Sequence, residues 1–164
     1  MIPPIRAYVG LGGNVGDAQT TLAEAMWALD SLPQTSIRAQ SRMYRTPPWG
    51  KLDQPAFINA VVELQTRLAP RVLLGRLLEV EARFGRERSK GEKWGPRELD
   101  LDLLTYGEEQ LDEPGLHLPH PQLRHRAFVL VPLAEIAPKL DIVGVGKVSE
   151  LLAALRAAGI EALD

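Results

Sequence analysis

Hydrophobic and polar residues alternate along this chain in two rhythms, and each change of rhythm marks a new element. From Ile5 to Leu11 an apolar run with Arg6 and Tyr8 alternating into it predicts a strand. GLGGNVGD then reads as a tight turn whose glycines adopt positive φ, with Gly12 and Asn14 placed to shape a nearby pocket. Asp17 is suited to cap a helix whose stripe is Leu22, Ala25, Met26 and Leu29, closed by Pro33. A second strand is expected from Ile37 to Tyr44. A third runs from Phe57 to Leu68, with Phe57, Asn59 and Val61 on one face and Ile58, Ala60 and Val62 on the other. Pro70 opens a second helix with the stripe Leu73, Leu77, Val80 and Phe84, ending at Gly85.

The polar loop GRERSKGEKWGPR leads into a strand from Leu99 to Tyr106. Beyond it the chain is turn-rich to Pro121, with helical stretches expected near Ala127 to Ile136 and from Val148 to Ala158. Strand, helix, strand, strand, helix, strand is the βαββαβ ferredoxin-like order. The expected fold is α+β, a mainly antiparallel sheet with helices packed on one face.

Composition narrows the class. With 164 residues, 45% hydrophobic and 24% charged, the chain is expected to form one domain over residues 1–164. No apolar run nears the roughly 20 residues that cross a bilayer, and MIPPIRAYVG lacks a signal pattern, so a cytoplasmic protein without membrane partners is expected. The absence of cysteine excludes disulfides, thiolate chemistry and cysteine-ligated zinc. A net charge of −2 gives no indication of a nucleic-acid footprint.

The candidate chemistry centres on WGPRELDLDLL. On a strand, Asp100, Asp102 and Leu104 share one face while Leu99, Leu101 and Leu103 share the other. Alternation alone favours a solvated strand face. The preceding loop shifts the balance, because Arg86, Arg88, Lys90, Lys93 and Arg97 accompany Trp94 there. Guanidinium groups bind phosphate bidentately, and carboxylates hold Mg²⁺, which itself bridges phosphates. A loop and a strand carrying both halves of an Mg–polyphosphate site are more informative than either alone. GLGGNVG is a poor phosphate loop by contrast, since the third glycine of GxGxxG falls at Val15 and no Walker sequence occurs. RTPPWG is a stiff loop suited either to surface connection or to planar recognition. Asn59 carries a donor and an acceptor that match a heterocycle edge, and Phe57 on its face can stack on a ring. His117, His120 and His125 have no helical metal spacing; a phosphate contact or a surface role fits His120 better. Phe128, on its position alone, reads as a core aromatic.

KWGPRELDLDLL resembles the signature of the 6-hydroxymethyl-7,8-dihydropterin pyrophosphokinase family of folate biosynthesis. VGLGGNVGD, YRTPPWG, DQPAFINAVVEL and RAFVLVPLAEIAP resemble further segments, so the likeness covers nearly the whole chain. The resemblance implies Mg-dependent transfer of pyrophosphate from ATP to the hydroxymethyl oxygen of the pterin, giving AMP. It implies that Asp100 and Asp102 hold two Mg²⁺ ions, that Arg86 and Arg97 neutralise phosphate, and that Arg88, His120 and Arg126 join them around ATP. Phe57 and Phe128 would sandwich the pterin, with Asn59 on its edge, Thr46, Pro48 and Trp49 completing the pocket, and Trp94 packing over it. The expected partners are these two small molecules, with the protein acting as a monomer. Gly115, His117 and Pro121 depart from family members, which often carry arginine, threonine and tyrosine there, and the loop between Arg86 and Trp94 is one residue longer than in some relatives.

A ferredoxin-like RNA-binding module is the rival of another class. It is disfavoured by the negative charge, the missing glycine–aromatic motif and an acidic pair that would repel phosphate without metal. A metal-dependent phosphotransferase acting on another heterocycle is the second. An arginine that engages only near the transition state raises kcat, whereas uniform binding changes only KM. Arg97→Ala is therefore expected to lower kcat in steady-state kinetics, and an effect confined to ATP affinity would remove that role.

Overall fold

The structure is a computed structural model that describes residues 3–47, 53–84, 98–155 and 159–163. Its main sheet is antiparallel throughout. β1 (Ile5–Gly13) lies between β4 (Phe57–Thr66) and β5 (Asp100–Tyr106), while β2 (Thr35–Gln40) and β3 (Met43–Thr46) both pair with the far side of β4. β10 (Glu161–Leu163), which periodicity does not foretell, adds beyond β3. Helices α1 (Ala18–Asp30) and α2 (Pro70–Arg83) make the two crossovers of the ferredoxin-like order.

Local chemistry accounts for the helix boundaries. The Asp17 carboxylate accepts from the Thr20 N–H at 3.2 Å and its hydroxyl at 2.6 Å, which together lower its pKa and cap α1. Pro70 opens α2 without a side-chain cap, using a position where its missing N–H costs nothing.

The single strand expected from Ile37 to Tyr44 is broken into β2 and β3. Register with β4 slips at Arg38, and between Gln40 and Tyr44 four steps face only the three from Val62 to Asn59. Ser41 bridges the second irregularity. Its N–H donates to the Val61 carbonyl at 2.9 Å, and its Oγ accepts from the Val61 N–H at 2.9 Å. A hydroxyl thus stands in for a ladder carbonyl, and the strand bends without orphaning a buried amide.

Helices cover both faces of the sheet, not one. On the first face Val9, Leu11, Ala60, Val62, Leu101 and Leu103 meet Leu22, Ala25 and Leu29 of α1 and Leu73, Leu77 and Val80 of α2. On the second, Tyr8, Val61 and Leu104 are buried by Val129, Leu130 and Leu133 of α3 (Ala127–Ile136) and by Val148 of α4 (Val148–Ala153). The reason lies in those three strand residues: they are apolar at positions where a one-sided sheet would be polar, and each needs a cover. Burying a side chain of this size contributes roughly 1.5–3 kcal/mol. The far end of α3 is tied to β3, where Glu135 accepts from the Tyr44 hydroxyl and from the Arg42 N–H at 3.1 Å.

The turn-rich segment after Gly107 holds a hairpin of β6 (Leu111–Glu113) and β7 (Leu116–Leu118), and β8 (Asp141–Ile142) pairs with β9 (Gly146–Lys147) before α4. Gly115 turns the first hairpin at φ 75°, a conformation that an arginine would strain, and His117 is engaged by Asp112 across it at 2.6 Å. Ser41→Ala is expected to lower stability by about 1–3 kcal/mol in urea unfolding, because the buried Val61 N–H loses its acceptor. An unchanged midpoint would remove that role.

Candidate functional site

Part of the second sheet face is covered by α3 and α4; polar residues stand beside that part. β1 contributes no side chain there. GLGGNVGD was expected to be a turn of positive-φ glycines, yet Gly10, Gly12 and Gly13 lie inside β1, and within this segment only Gly16 has a positive φ, of 66°. Pairing on both sides keeps the backbone extended to Gly12, and pairing with β4 carries it to Gly13. Gly10 lies between Val61 and Asp102, and Gly12 between Asn59 and Asp100. The result is a bare lane along the central strand with an amide on one bank and two carboxylates on the other.

Asp100 and Asp102 stand on the face expected, both half-buried, with Leu101 and Leu103 turned into the opposite core. One residue later the pairing with β1 breaks. Val9 pairs with Leu103 and Tyr8 with Thr105, leaving Leu104 as an extra residue with no partner in β1. The Leu104 carbonyl instead accepts from the His120 N–H at 2.8 Å. The bulge thereby docks the 119–126 segment beside the aspartates.

That docking creates a cluster around Asp102. Arg126 Nη1 lies 3.4 Å from Asp102 Oδ2, and His120 Nε2 lies 3.9 Å from Oδ1. Burial pushes the His120 pKa below the ordinary histidine value, and the charges of Arg126 and His117 push the same way against the pull of Asp102. The ring is therefore neutral at pH 7. Its Nδ1 accepts from the Gln122 N–H at 3.1 Å, so the proton sits on Nε2, the nitrogen facing Asp102. The Arg126 guanidinium also lies over the Phe128 ring, 5.7 Å from its centroid, and so joins the carboxylate side to an aromatic at the start of α3.

Across the lane, Asn59 is buried and donates from Nδ2 to Thr46 Oγ1 at 2.9 Å. Phe57, two residues earlier on the same strand face, is half-buried. Asn14 donates to Gln54 Oε1 and to the Pro55 carbonyl, both at 2.9 Å, and so pins the segment before β4. Asp100, Asp102, His120, Arg126, Phe128, Asn59, Thr46 and Phe57 are thus all placed around one face. Pro48, Trp49, Arg86, Arg88, Trp94 and Arg97 lie outside the described residues.

Two hard carboxylates on one face are the donor type that Mg²⁺ takes. Among the described residues no three His, Cys, Asp or Glu side chains form a closed metal cage.

Glu81 has a part that periodicity alone does not assign. It sits on α2, buried, and accepts from the Leu101 N–H at 2.7 Å, between the two aspartates. Among the described residues β5 ends the path of the main sheet, and a helix carboxylate takes this edge amide. The visible signal is a charge on an apolar stripe, eight residues after Leu73.

Fold and site together define a ferredoxin-like protein that presents acidic, basic and aromatic groups across one open sheet face. Residues 8–138 match the family described as 7,8-dihydro-6-hydroxymethylpterin-pyrophosphokinase (HPPK). The chain is 48% identical to the 2-amino-4-hydroxy-6-hydroxymethyldihydropteridine pyrophosphokinase of Methylorubrum extorquens, over 97% of this chain and 99% of that protein. It is 45% identical to the enzyme of the same name from Pseudomonas aeruginosa, over 96% of each. The crystal structure of Plasmodium falciparum HPPK-DHPS wild type superimposes with a TM-score of 0.70 at 14% identity; the match covers 92% of this chain but 41% of that one. The chain belongs to the 7,8-dihydro-6-hydroxymethylpterin-pyrophosphokinase family.

Glu81→Leu is expected to cost about 1–3 kcal/mol in urea unfolding, the cost of orphaning a buried amide. Glu81→Gln, which keeps an acceptor, is expected to cost clearly less. Equal losses would show that the Leu101 bond is not what Glu81 supplies.

Proposed function

We propose that the protein transfers the pyrophosphoryl group of ATP to the hydroxymethyl oxygen of 6-hydroxymethyl-7,8-dihydropterin, releasing AMP and the pterin pyrophosphate, a step of folate biosynthesis. One observation carries this reading beyond family membership. Carboxylates, a cation and a neutral histidine stand on one side of a bare strand, and an amide with nearby aromatic residues stands on the other.

On the first side Asp100 and Asp102 would hold two Mg²⁺ ions. When bound, these supply neutralisation of the polyphosphate charge. Arg126 restrains Asp102 and offers its remaining N–H groups to phosphate oxygens. His120, neutral with a proton on Nε2, donates a hydrogen bond to an anion without adding a charge that titrates near neutrality. Arg86, Arg88 and Arg97 add guanidinium groups to the same polyphosphate. Charge neutralisation and in-line alignment are the main demands of phosphoryl transfer, so no covalent intermediate on the protein is required.

On the second side Asn59 meets the hydrogen-bonding edge of the pterin. Phe57 and Phe128 stack on its faces, Thr46, Pro48 and Trp49 border it, and Trp94 packs over it. Arg126, above the Phe128 ring, would in this reading link the phosphate side of the site to the pterin side. Residues 1–164 form a single pyrophosphokinase domain in this reading, acting as a monomer in the cytoplasm on small molecules, with no nucleic-acid or membrane partner.

Incubation with ATP, Mg²⁺ and 6-hydroxymethyl-7,8-dihydropterin is expected to yield AMP and the pterin pyrophosphate by chromatography. ADP as product, or no turnover, would overturn the assignment. Asp100→Ala and Asp102→Ala are each expected to lower kcat/KM by about a hundredfold or more, the scale of losing one preorganised electrostatic group. Activity retained in either variant would remove that residue as a metal ligand.

A further inference from the structure

Gly12 lacks a side chain at a point in β1 where a neighbour already fills the space. An added Cβ there would lie 2.7 Å from Asn59 Oδ1, closer than carbon and oxygen approach without a bond. The amide oxygen of Asn59 therefore rests over the β1 backbone in the volume that any other residue at position 12 would claim. Gly10, its companion on the same face, differs. A Cβ at Gly10 would meet only Leu104 side-chain carbons, at 3.7–3.9 Å, which is ordinary packing.

A clash with the end of a flexible side chain is usually relieved by a small rotation. Two features oppose that here. Asn59 is only 7% exposed, and its Nδ2 already donates to Thr46 Oγ1 at 2.9 Å, itself buried. Swinging Oδ1 away from β1 would break the Thr46 bond or press the amide into packed neighbours. In this arrangement the amide nitrogen points toward β3 and the oxygen lies over Gly12, toward the lane bordered by Asp100. An amide oxygen accepts only, so a ligand hydrogen-bonded to it in the lane must bring a donor.

We propose that Gly12 is a positioning residue that acts through Asn59. By carrying no side chain it seats the Asn59 amide oxygen over β1 as the acceptor for a ring N–H of the heterocyclic substrate. The role rests on the pterin reading of this site. It predicts that position 12 controls recognition of the heterocycle while leaving the nucleotide side untouched.

Steady-state kinetics with ATP and 6-hydroxymethyl-7,8-dihydropterin on wild type, Gly12→Ala, Gly10→Ala, Asn59→Ala and the Gly12→Ala/Asn59→Ala pair test this. Gly12→Ala is expected to raise the pterin KM roughly ten-fold, the scale of one lost hydrogen bond, with the ATP KM within about two-fold of wild type. Gly10→Ala, an alanine in the same strand, is expected to change the pterin KM far less. In the Asn59→Ala background the Gly12→Ala change should have almost no further effect, because its target is gone. Additive losses, or equal losses in the two glycine variants, would overturn the proposal. If Gly12→Ala fails to fold, the double variant decides: recovery of a cooperative thermal transition supports the clash with Asn59, and failure to recover refutes it. Should wild type itself turn over no pterin, the functional reading fails. The seating of Asn59 is then tested by adding 6-hydroxymethyl-7,8-dihydropterin alone in calorimetry, where wild-type binding weakened by Gly12→Ala supports it and no binding overturns it.

Discussion

The register of β1 against its two neighbours is the constraint on which the rest of the molecule depends. β1 is paired on both sides and buried on the face of α1 and α2, so a slip of one residue would turn Val9 and Leu11 out of the core. With that slip forbidden, Asn59, Gly12 and Asp100 share one row across the sheet, and Val61, Gly10 and Asp102 share the next. The relative positions of an amide and two carboxylates from distant parts of the chain thus follow from hydrophobic burial on the opposite face. Stability and site geometry are consequences of one alignment.

The second face shows how the same sheet is divided between packing and chemistry. Where its residues are large and apolar, as at Tyr8, Val61 and Leu104, α3 and α4 cover them. Where they are glycine, asparagine and aspartate, the polar candidate site stands. The two regions are joined by the bulge at Leu104, whose carbonyl holds His120, and by α3, which starts beside the site at Phe128 and is anchored at its other end by Glu135. An irregularity in one strand therefore places the histidine and arginine, and an apolar helix placed for burial carries the aromatic.

Local patterns made much of this legible. The face assignments of Phe57, Asn59 and Val61, and of Asp100 and Asp102, follow from a period of two and agree with the observed clusters. The two crossover helices follow from their stripes and from Asp17 and Pro70. Three readings failed for a common reason. The glycines of GLGGNVGD suggested a turn, the run from Ile37 to Tyr44 suggested one straight strand, and the sheet was expected to be covered on one face. Each was decided by a partner distant in the chain: pairing on both sides of β1, the Ser41–Val61 exchange, and α3 lying over β4. Propensity and periodicity describe a segment's own preferences and carry no information about what lies across from it.

The sequence by itself determined the chemical groups, their spacing along each element and the family to which the chain belongs, because these are properties of adjacent residues. WGPRELDLDLL already carries two carboxylates on one strand face and an arginine before them. Only the tertiary structure decided that Arg126 and His120 converge on Asp102, that Glu81 holds the amide between the aspartates, and that Gly12 yields its side-chain volume to Asn59. These are contacts between residues from 18 to 47 positions apart. They exist because burial of the apolar faces brings the strands into one register, and no local pattern encodes which polar atoms that register brings within reach.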